Sequence, residues 1–426
     1  MTSTATAAGR QGAPAGRDLR LIVLGRGINL LGTGVTRIAI PLLALQVLHA
    51  SPFDIGALGA AALAAWFVVA LPAGALLEGR RLRRVMIASD LMCAAALLSI
   101  PVATGIARVT LSQLLAVCLI VGVATVIGEI AGQAFLPEVV SRDEIITANS
   151  LLQTSESIAN SAGPALGGVL VKLLGAAWTV CVDVASYLAS VAAVASVRSG
   201  RTAVRSTTAA SDRRAGTWTR IRVGLRYVIT DPVLRPLALM ATVLNFLAGG
   251  FDTLVIPFLA KTVHVPPAWV GLLVGIGSVG AIFGSALAPR LVRAFGGPFQ
   301  TMFVLVLVAP AAALLVPMAM LGPRLGLFIV GYLVRDVAIA AMALLARSYR
   351  QMTVPAELLT RTTASIKFMS WGVLPLGALF GGLAGQLFGY RGALWLLAAL
   401  LFIAPAVLYC SDLRRDPALI TASASE

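Results

Sequence analysis

The chain has 426 residues, of which 58% are hydrophobic and only 12% charged, and its mean hydropathy is +0.92. A soluble domain carries about 25% charged residues, so this composition excludes a water-soluble globular protein. The formal net charge of +15 does not argue for nucleic acid as a partner, because the basic residues alternate by loop.

Apolar stretches long enough to cross a hydrocarbon core of about 30 Å recur along the chain. They predict helices over 20–48, 53–77, 82–106, 109–135, 144–171, 176–197, 232–260, 268–292, 299–321, 324–350, 359–388 and 391–411. Residues 1–19 read as a disordered polar tail with no signal-peptide pattern, and 412–426 as a second tail. Ser51-Pro52 and Asp231-Pro232 each place a capping side chain before a proline suited to a first helical position. They open the second and seventh helices. The segment 198–231 is a Ser/Thr/Arg-rich linker that cannot bury a core. Its end, Trp218 to Tyr227, alternates arginine with apolar residues, as in a short interfacial helix.

This divides the chain into halves at 20–197 and 232–411. With the amino terminus inside, the inner segments hold most of the 33 Lys and Arg, including Arg80, Arg81, Arg83 and Arg84. The outer loops hold only Arg108, Lys172, Lys261, Arg324 and Arg391. The positive-inside rule then sets both termini in the cytoplasm, and the Ala/Gly/Arg-rich composition suggests a bacterial inner membrane. Gly163, Gly167, Gly168 and Gly175 recur in spacing as Gly377, Gly381, Gly382 and Gly389 at an offset of 214. The segment from Gly74 to Arg83 is echoed from Gly284 to Arg293, at an offset of 210. An even number of helices separates the equivalents, so the repeat is parallel about the membrane normal.

A six-plus-six parallel repeat with a basic central loop resembles the major facilitator superfamily over residues 20 to 412. The fold expected is therefore all-α, with twelve transmembrane helices. The loop Gly74-Ala-Leu-Leu-Glu78-Gly79-Arg80-Arg81-Leu82-Arg83-Arg84 is similar to that family's signature between helices 2 and 3. Glu78 stands for the commoner Asp, and Gly79 for an Arg. The resemblance implies a conformational latch involving Gly74, Glu78, Arg83, Arg84 and Asp90; the alternative is that the arginines only set topology. Gly163-Pro164-Ala-Leu-Gly167-Gly168 looks like the exporter signature of helix 5, or else is an ordinary packing seam. Residues 135–198 resemble the branch of macrolide-efflux and enterobactin-exporter proteins.

Charges inside a span cost about 2.5–3.5 kcal/mol at mid-membrane and call for a partner or a purpose. Glu129 is the first candidate to carry a coupling proton, with Asp252 second and Arg37, Asn29, Arg335 and Asp336 as companions. Each is otherwise a static ion pair or a polar helix contact. Glu156 is a further charge within a span. Asp183 reads as structural, and Arg26 as snorkelling to the headgroups. The expected cavity lies between the halves, lined by helices 1, 4, 7 and 10, with Glu129 near Arg37 or Asn29. Cys93, Cys118, Cys181 and Cys410 show no paired spacing, and His49 and His264 no metal-ligand pattern, so neither metal nor cofactor is expected. No phosphate loop or catalytic motif is present, so the chain is not read as an enzyme. The resemblance implies a monomeric, proton-coupled exporter of a small amphipathic molecule, surrounded by membrane lipid. An importer and a lipid flippase are the alternatives.

Overall fold

The structure is a computed structural model that describes residues 14–69, 77, 80–106, 108–140, 144–197, 225–232, 234–354 and 356–410. Gly74, Glu78 and most of the expected interfacial helix lie outside these residues.

The first half comprises α1 (Pro14–Val47), α2 (Pro52–Val68), α3 (Leu82–Ile106), α4 (Leu111–Val139), α5 (Ile145–Leu174) and α6 (Ala176–Ser196). The second comprises α7 (Leu234–Pro257), α8 (Pro267–Phe295), α9 (Pro298–Ala313), α10 (Leu325–Thr353), α11 (Ala356–Trp371), α12 (Leu374–Leu400) and α13 (Ile403–Tyr409). Ten segments are long and apolar enough to span a membrane, and the shorter apolar helix Pro52–Phe67 joins them. Gly389, at φ 69 and ψ 167, breaks α12 into two crossings. The described residues thus make the expected twelve passes.

The ends follow the capping logic of the sequence. Ser51 and Asp54 form a reciprocal capping box at α2, and Asp231 Oδ1 accepts the Leu234 amide at 2.8 Å. Three boundaries differ from expectation. Helix α1 begins at Pro14, inside the segment read as a tail, because the turn bearing Arg17, Asp18 and Arg20 continues the helix beyond its apolar part. The eleventh crossing is interrupted after Trp371, where Pro375 at the start of α12 has no amide to continue the ladder. The ninth ends early at Ala313 and continues as a 3-10 turn, Val316–Met318.

The two halves repeat one another in detail. His49 and His264 both adopt left-handed backbone, at φ 51 and 62. Each is followed by the same long hydrogen bond, Ala50 N–H to Ala44 C=O at 3.0 Å and Val265 N–H to Leu259 C=O at 2.9 Å. The bond reaches six residues back, one more than the 6→1 bond of a Schellman cap, and this wider closure recurs at an offset of 215 in both halves.

The glycine seams repeat likewise. A Cβ on Gly163 would meet the Leu31 carbonyl and Gly34 of α1; one on Gly377 would meet the Phe246 carbonyl of α7. Gly168 of α5 lies against Pro267 and Gly271 of α8, and Gly382 of α12 against Pro52 and Gly56 of α2. Small residues let helix backbones touch in a setting where packing must replace the hydrophobic drive. These contacts make α5–α8 and α2–α12 the two joints between the halves. Among the described residues α4 has no comparable packing against α10 or α11.

Candidate functional site

A cavity of about 430 Å3 lies within the first half, bounded by α1, α3, α4, α5 and α6. Its lining includes Ile22 from the third turn of α1, Ile145 from the first turn of α5 and Val194 from the last of α6. It therefore lies at the end of the bundle where α1 starts. The expected cavity is shared among helices 1, 4, 7 and 10; this one has α1 and α4 in common with it, and α3, α5 and α6 form its remaining walls.

Glu129 lines this cavity. Its Oε2 is 3.7 Å from the Arg26 guanidinium, and Gln133 Nε2 donates to its Oε1 at 3.5 Å. The pairing follows from helix geometry, since Arg26 and Asn29 sit three residues apart on α1 and Thr125, Glu129 and Gln133 four apart on α4. Arg26 thus turns inward to a carboxylate rather than outward to headgroups. Arg37, expected beside Glu129, lies on an exposed position three turns further along α1. There it is a charge neighbour of Asp336 in the other half. Asn29 is 5% exposed on the cavity wall, and its Nδ2 has no hydrogen-bond partner.

Asp90 also belongs to this cavity. It accepts a hydrogen bond from Ser190 of α6 at 2.7 Å. Since α3 begins at Leu82, Asp90 lies two turns inside the helix, away from the loop in which it was expected to act. Arg83 does sit at that loop, but its guanidinium binds the Val194 carbonyl at 3.1 Å and the Ala195 carbonyl of α6. A cation on those last carbonyls caps α6. Arg84 is exposed.

The second half carries a separate charge cluster. Arg335 of α10 donates to Asp252 Oδ1 of α7 at 2.8 Å and lies 3.3 Å from Asp336 Oδ1. Its guanidinium stacks over Phe251 and Tyr332, 4.7 and 5.5 Å from the ring centroids. The arginine is 2% exposed while Asp252 is 36% exposed, so a buried cation holds an accessible acid. Asp336 packs against Gly277 of α8, where a Cβ would collide with its carboxylate. The sequence candidates therefore fall into two groups, Glu129 with Asn29 and Asp252 with Arg335 and Asp336, with Arg37 beside the second.

Asp183 is buried in the α1–α6 seam, where Ser186 Oγ donates to its Oδ1 at 2.9 Å. A side chain on Gly32 would strike the same two residues. Tyr187 and Ser190, one and two turns further on α6, reach the cavity wall. Their spacing from Asp183 along a helix read as peripheral was the available signal, and it was missed.

In helix 5, Gly163 and Gly167 pack on α1 and Gly168 packs on α8. Gly377, Gly381 and Gly382 do the same on α7 and α2. The glycine spacing thus serves close packing in both halves. Pro164 is the feature peculiar to α5, since Ala378 stands at the equivalent position.

A membrane bundle of two repeated halves, joined along α2–α12 and α5–α8 and carrying ionisable clusters in its spans, is a major facilitator transporter. The family model of transmembrane secretion effectors matches residues 16–425, and the chain belongs to that major facilitator family. It is 26% identical to the multidrug efflux pump Tap of Mycolicibacterium fortuitum over 359 residues, 82% of this chain and 85% of that protein. An uncharacterized MFS-type transporter of Bacillus subtilis strain 168, YvqJ, is 27% identical over 172 residues, 40% of this chain and 41% of that one. Among solved structures, the nucleoside transporter NupG superposes with a TM-score of 0.76 at 11% identity, covering 92% of this chain and 98% of NupG. A bacterial homologue of the lysosomal transporter Spinster, inward-facing and unoccupied, gives 0.75 at 14% identity, covering 94% and 97%. These structural likenesses concern the fold. The chain is a multi-pass membrane transporter and not an enzyme.

Proposed function

We propose that this transporter exports a small amphipathic molecule across the inner membrane of a bacterium in exchange for protons, with both termini in the cytoplasm. The observation that carries the reading is the Glu129–Arg26 pair on the cavity wall. At 3.7 Å, with both side chains about one-third exposed, the two charges are close enough to stabilise each other and loose enough to part. An acid within a span that can lose its counter-charge is a candidate site for an exchangeable proton. Separation of α1 from α4 within the first half supplies that loss. Arg335 with Asp252 and Asp336 offers a second exchangeable acid in the other half. The similarity to a multidrug efflux pump supports outward transport of drug-like molecules, and the half-apolar walls suit amphipathic substrates.

The test is efflux of preloaded ethidium from cells producing the full chain, with and without a protonophore. Accelerated efflux that the protonophore abolishes is expected. Efflux indifferent to the protonophore contradicts proton coupling, and increased ethidium accumulation contradicts export.

A further inference from the structure

The internal duplication shows which side chains the fold itself requires. Positions at offsets of 214 to 215 hold the same places in the two halves, as the paired turns and glycine seams show. In the seam between α1 and α6, Thr33 and Thr36 of α1 meet Asp183, Ser186 and Tyr187 of α6. The equivalent seam between α7 and the second crossing of α12 has Ala248, Phe251, Leu397, Leu400 and Leu401 in those places. Phe251, Leu397 and Leu401 are buried there. Apolar packing therefore satisfies the fold at these positions, and the polar seam of the first half needs another explanation.

Asp183 needs it most. It is 1% exposed, and among the described residues no Lys or Arg forms an ion pair with it. An ionised carboxylate in an apolar span without a counter-charge is costly, whereas the neutral acid needs only hydrogen bonds. Ser186 Oγ supplies one at 2.9 Å. The titratable neighbours are Tyr187 of α6 and Cys93 of α3, and neither brings a positive charge. Arg37 follows Thr36 on α1, but it is exposed and acts on Asp336 of the other half. Asp90 meets α6 two turns away, at Ser190, with Arg26 beside it. Among the described residues no charge on α4 or α5 acts on Asp183.

The seam also holds polar atoms that the surrounding side chains do not satisfy. Asn29 Nδ2 and Thr36 Oγ1 are buried with no hydrogen-bond partner among the described residues, and the two residues are 5% and 7% exposed. They share one face of α1 with Thr33 between them. Buried polar groups that protein atoms leave unpaired are the usual partners of buried water. Thr36 adjoins Asp183, and Thr33 adjoins the Tyr187 hydroxyl. Tyr187 and Thr125 then form part of the cavity wall. A polar track thus runs from Asp183 to the cavity. We propose that Asp183 is a proton-binding residue that exchanges its proton with the cavity along this track. The Tyr187 and Thr33 hydroxyls, with water held by Asn29 and Thr36, carry it. Each proton that leaves the carboxyl for water is matched by another returning from the cavity. This deepens the proton-exchange reading by adding an acid behind the cavity wall, and it rests on that reading for its role in transport.

The experiment is infrared spectroscopy of the full chain in lipid nanodiscs at neutral pH, on transfer from H2O to D2O. Wild type is expected to show a carboxylic C=O band that is lost in Asp183→Asn and displaced in Asp183→Glu. Where Asp183→Asn yields no folded protein, the displacement in Asp183→Glu identifies the band by itself. In D2O the band is expected to move to its deuterated position while the core amides remain unexchanged. Thr36→Val and Tyr187→Phe interrupt the track and keep the carboxyl. Each is expected to slow that move about fivefold, the scale of one hydrogen bond. A wild-type carboxyl region that neither Asp183 variant alters overturns the proposal. So does a band that exchanges only when the helices unfold, or one that exchanges at the wild-type rate in both track variants. The infrared result is obtained without a gradient, so failure of proton-driven efflux contradicts the exchange reading and leaves this test standing.

Discussion

Ser278 of α8 donates a 2.8 Å hydrogen bond to the carbonyl of Asn160 in α5, the oxygen that Pro164 leaves without its helical partner. In an uninterrupted helix the amide four residues on would fill that carbonyl; a proline has none to give. The vacancy is filled from the other half of the molecule. No equivalent exists at the sister joint, where Leu374 and Leu63 hold the corresponding positions. Ser278→Ala removes the donor and costs about 1 kcal/mol at this joint. Spin-label distances between α5 and α8 are expected to show a roughly fivefold shift toward separated halves. An unchanged distance distribution contradicts a clasping role for this bond.

Among the described residues Arg335 is the most deeply buried charge in the second half, and it answers two acids. Arg335→Met leaves both carboxylates without their cation and is expected to cost about 3–5 kcal/mol. Thermal unfolding in detergent checks this. Adding Asp252→Asn and Asp336→Asn to the same chain should recover much of the loss, because the uncompensated charges are gone. Failure of the triple variant to recover stability shows that the arginine acts through its packing on Phe251 and Tyr332 instead.

His49 and His264 occupy left-handed positions that usually fall to glycine. Glycine at either site relieves roughly 1–2 kcal/mol of backbone strain, partly offset by the freer unfolded chain. The melting temperature of His264→Gly is therefore expected to stay level or rise, while that of His264→Val falls. Equal losses in both variants contradict the assignment of the site as a strained cap.

Much of this fold was legible because lipid forces simple patterns on a chain. Helix number follows from apolar runs, and the duplication from glycines that must recur wherever two backbones touch. Ser51 and Asp231 announced their helices because few residue types can satisfy a free amide at a helix start. The site was less legible. Hydropathy marks Glu129 and Asp252 as costly but not the direction they face, so it could not tell that Arg26, rather than Arg37, meets Glu129. Tyr187 and Ser190 looked like ordinary members of a peripheral helix until α3 and α6 were seen to close the cavity. The break after Trp371 was hidden because a proline near a helix start and one that interrupts a long crossing read alike.

Gly377 and Gly163 are sequence equivalents but not energetic ones. A Cβ on Gly377 would lie 1.9 Å from the Phe246 carbonyl oxygen, whereas the nearest atom to one on Gly163 is at 2.8 Å. Alanine at 377 is expected to cost about 3 kcal/mol or more, the upper end of overpacking, and alanine at 163 less. Comparing the yields and melting temperatures of the two variants checks this. The reverse order contradicts the close packing of α7 on α12.

The central claim is that Glu129 carries the coupling proton, and the direct measurement separates uphill from downhill transport. Purified protein in proteoliposomes is given an imposed pH gradient, and ethidium movement is followed in wild type, Glu129→Gln and Glu129→Asp. Glutamine imitates a permanently protonated carboxylate, so the account predicts that gradient-driven accumulation disappears while ethidium exchange at equal pH survives. Aspartate keeps the charge at shorter reach and should retain part of the uphill rate. Undiminished gradient-driven accumulation by Glu129→Gln contradicts the account.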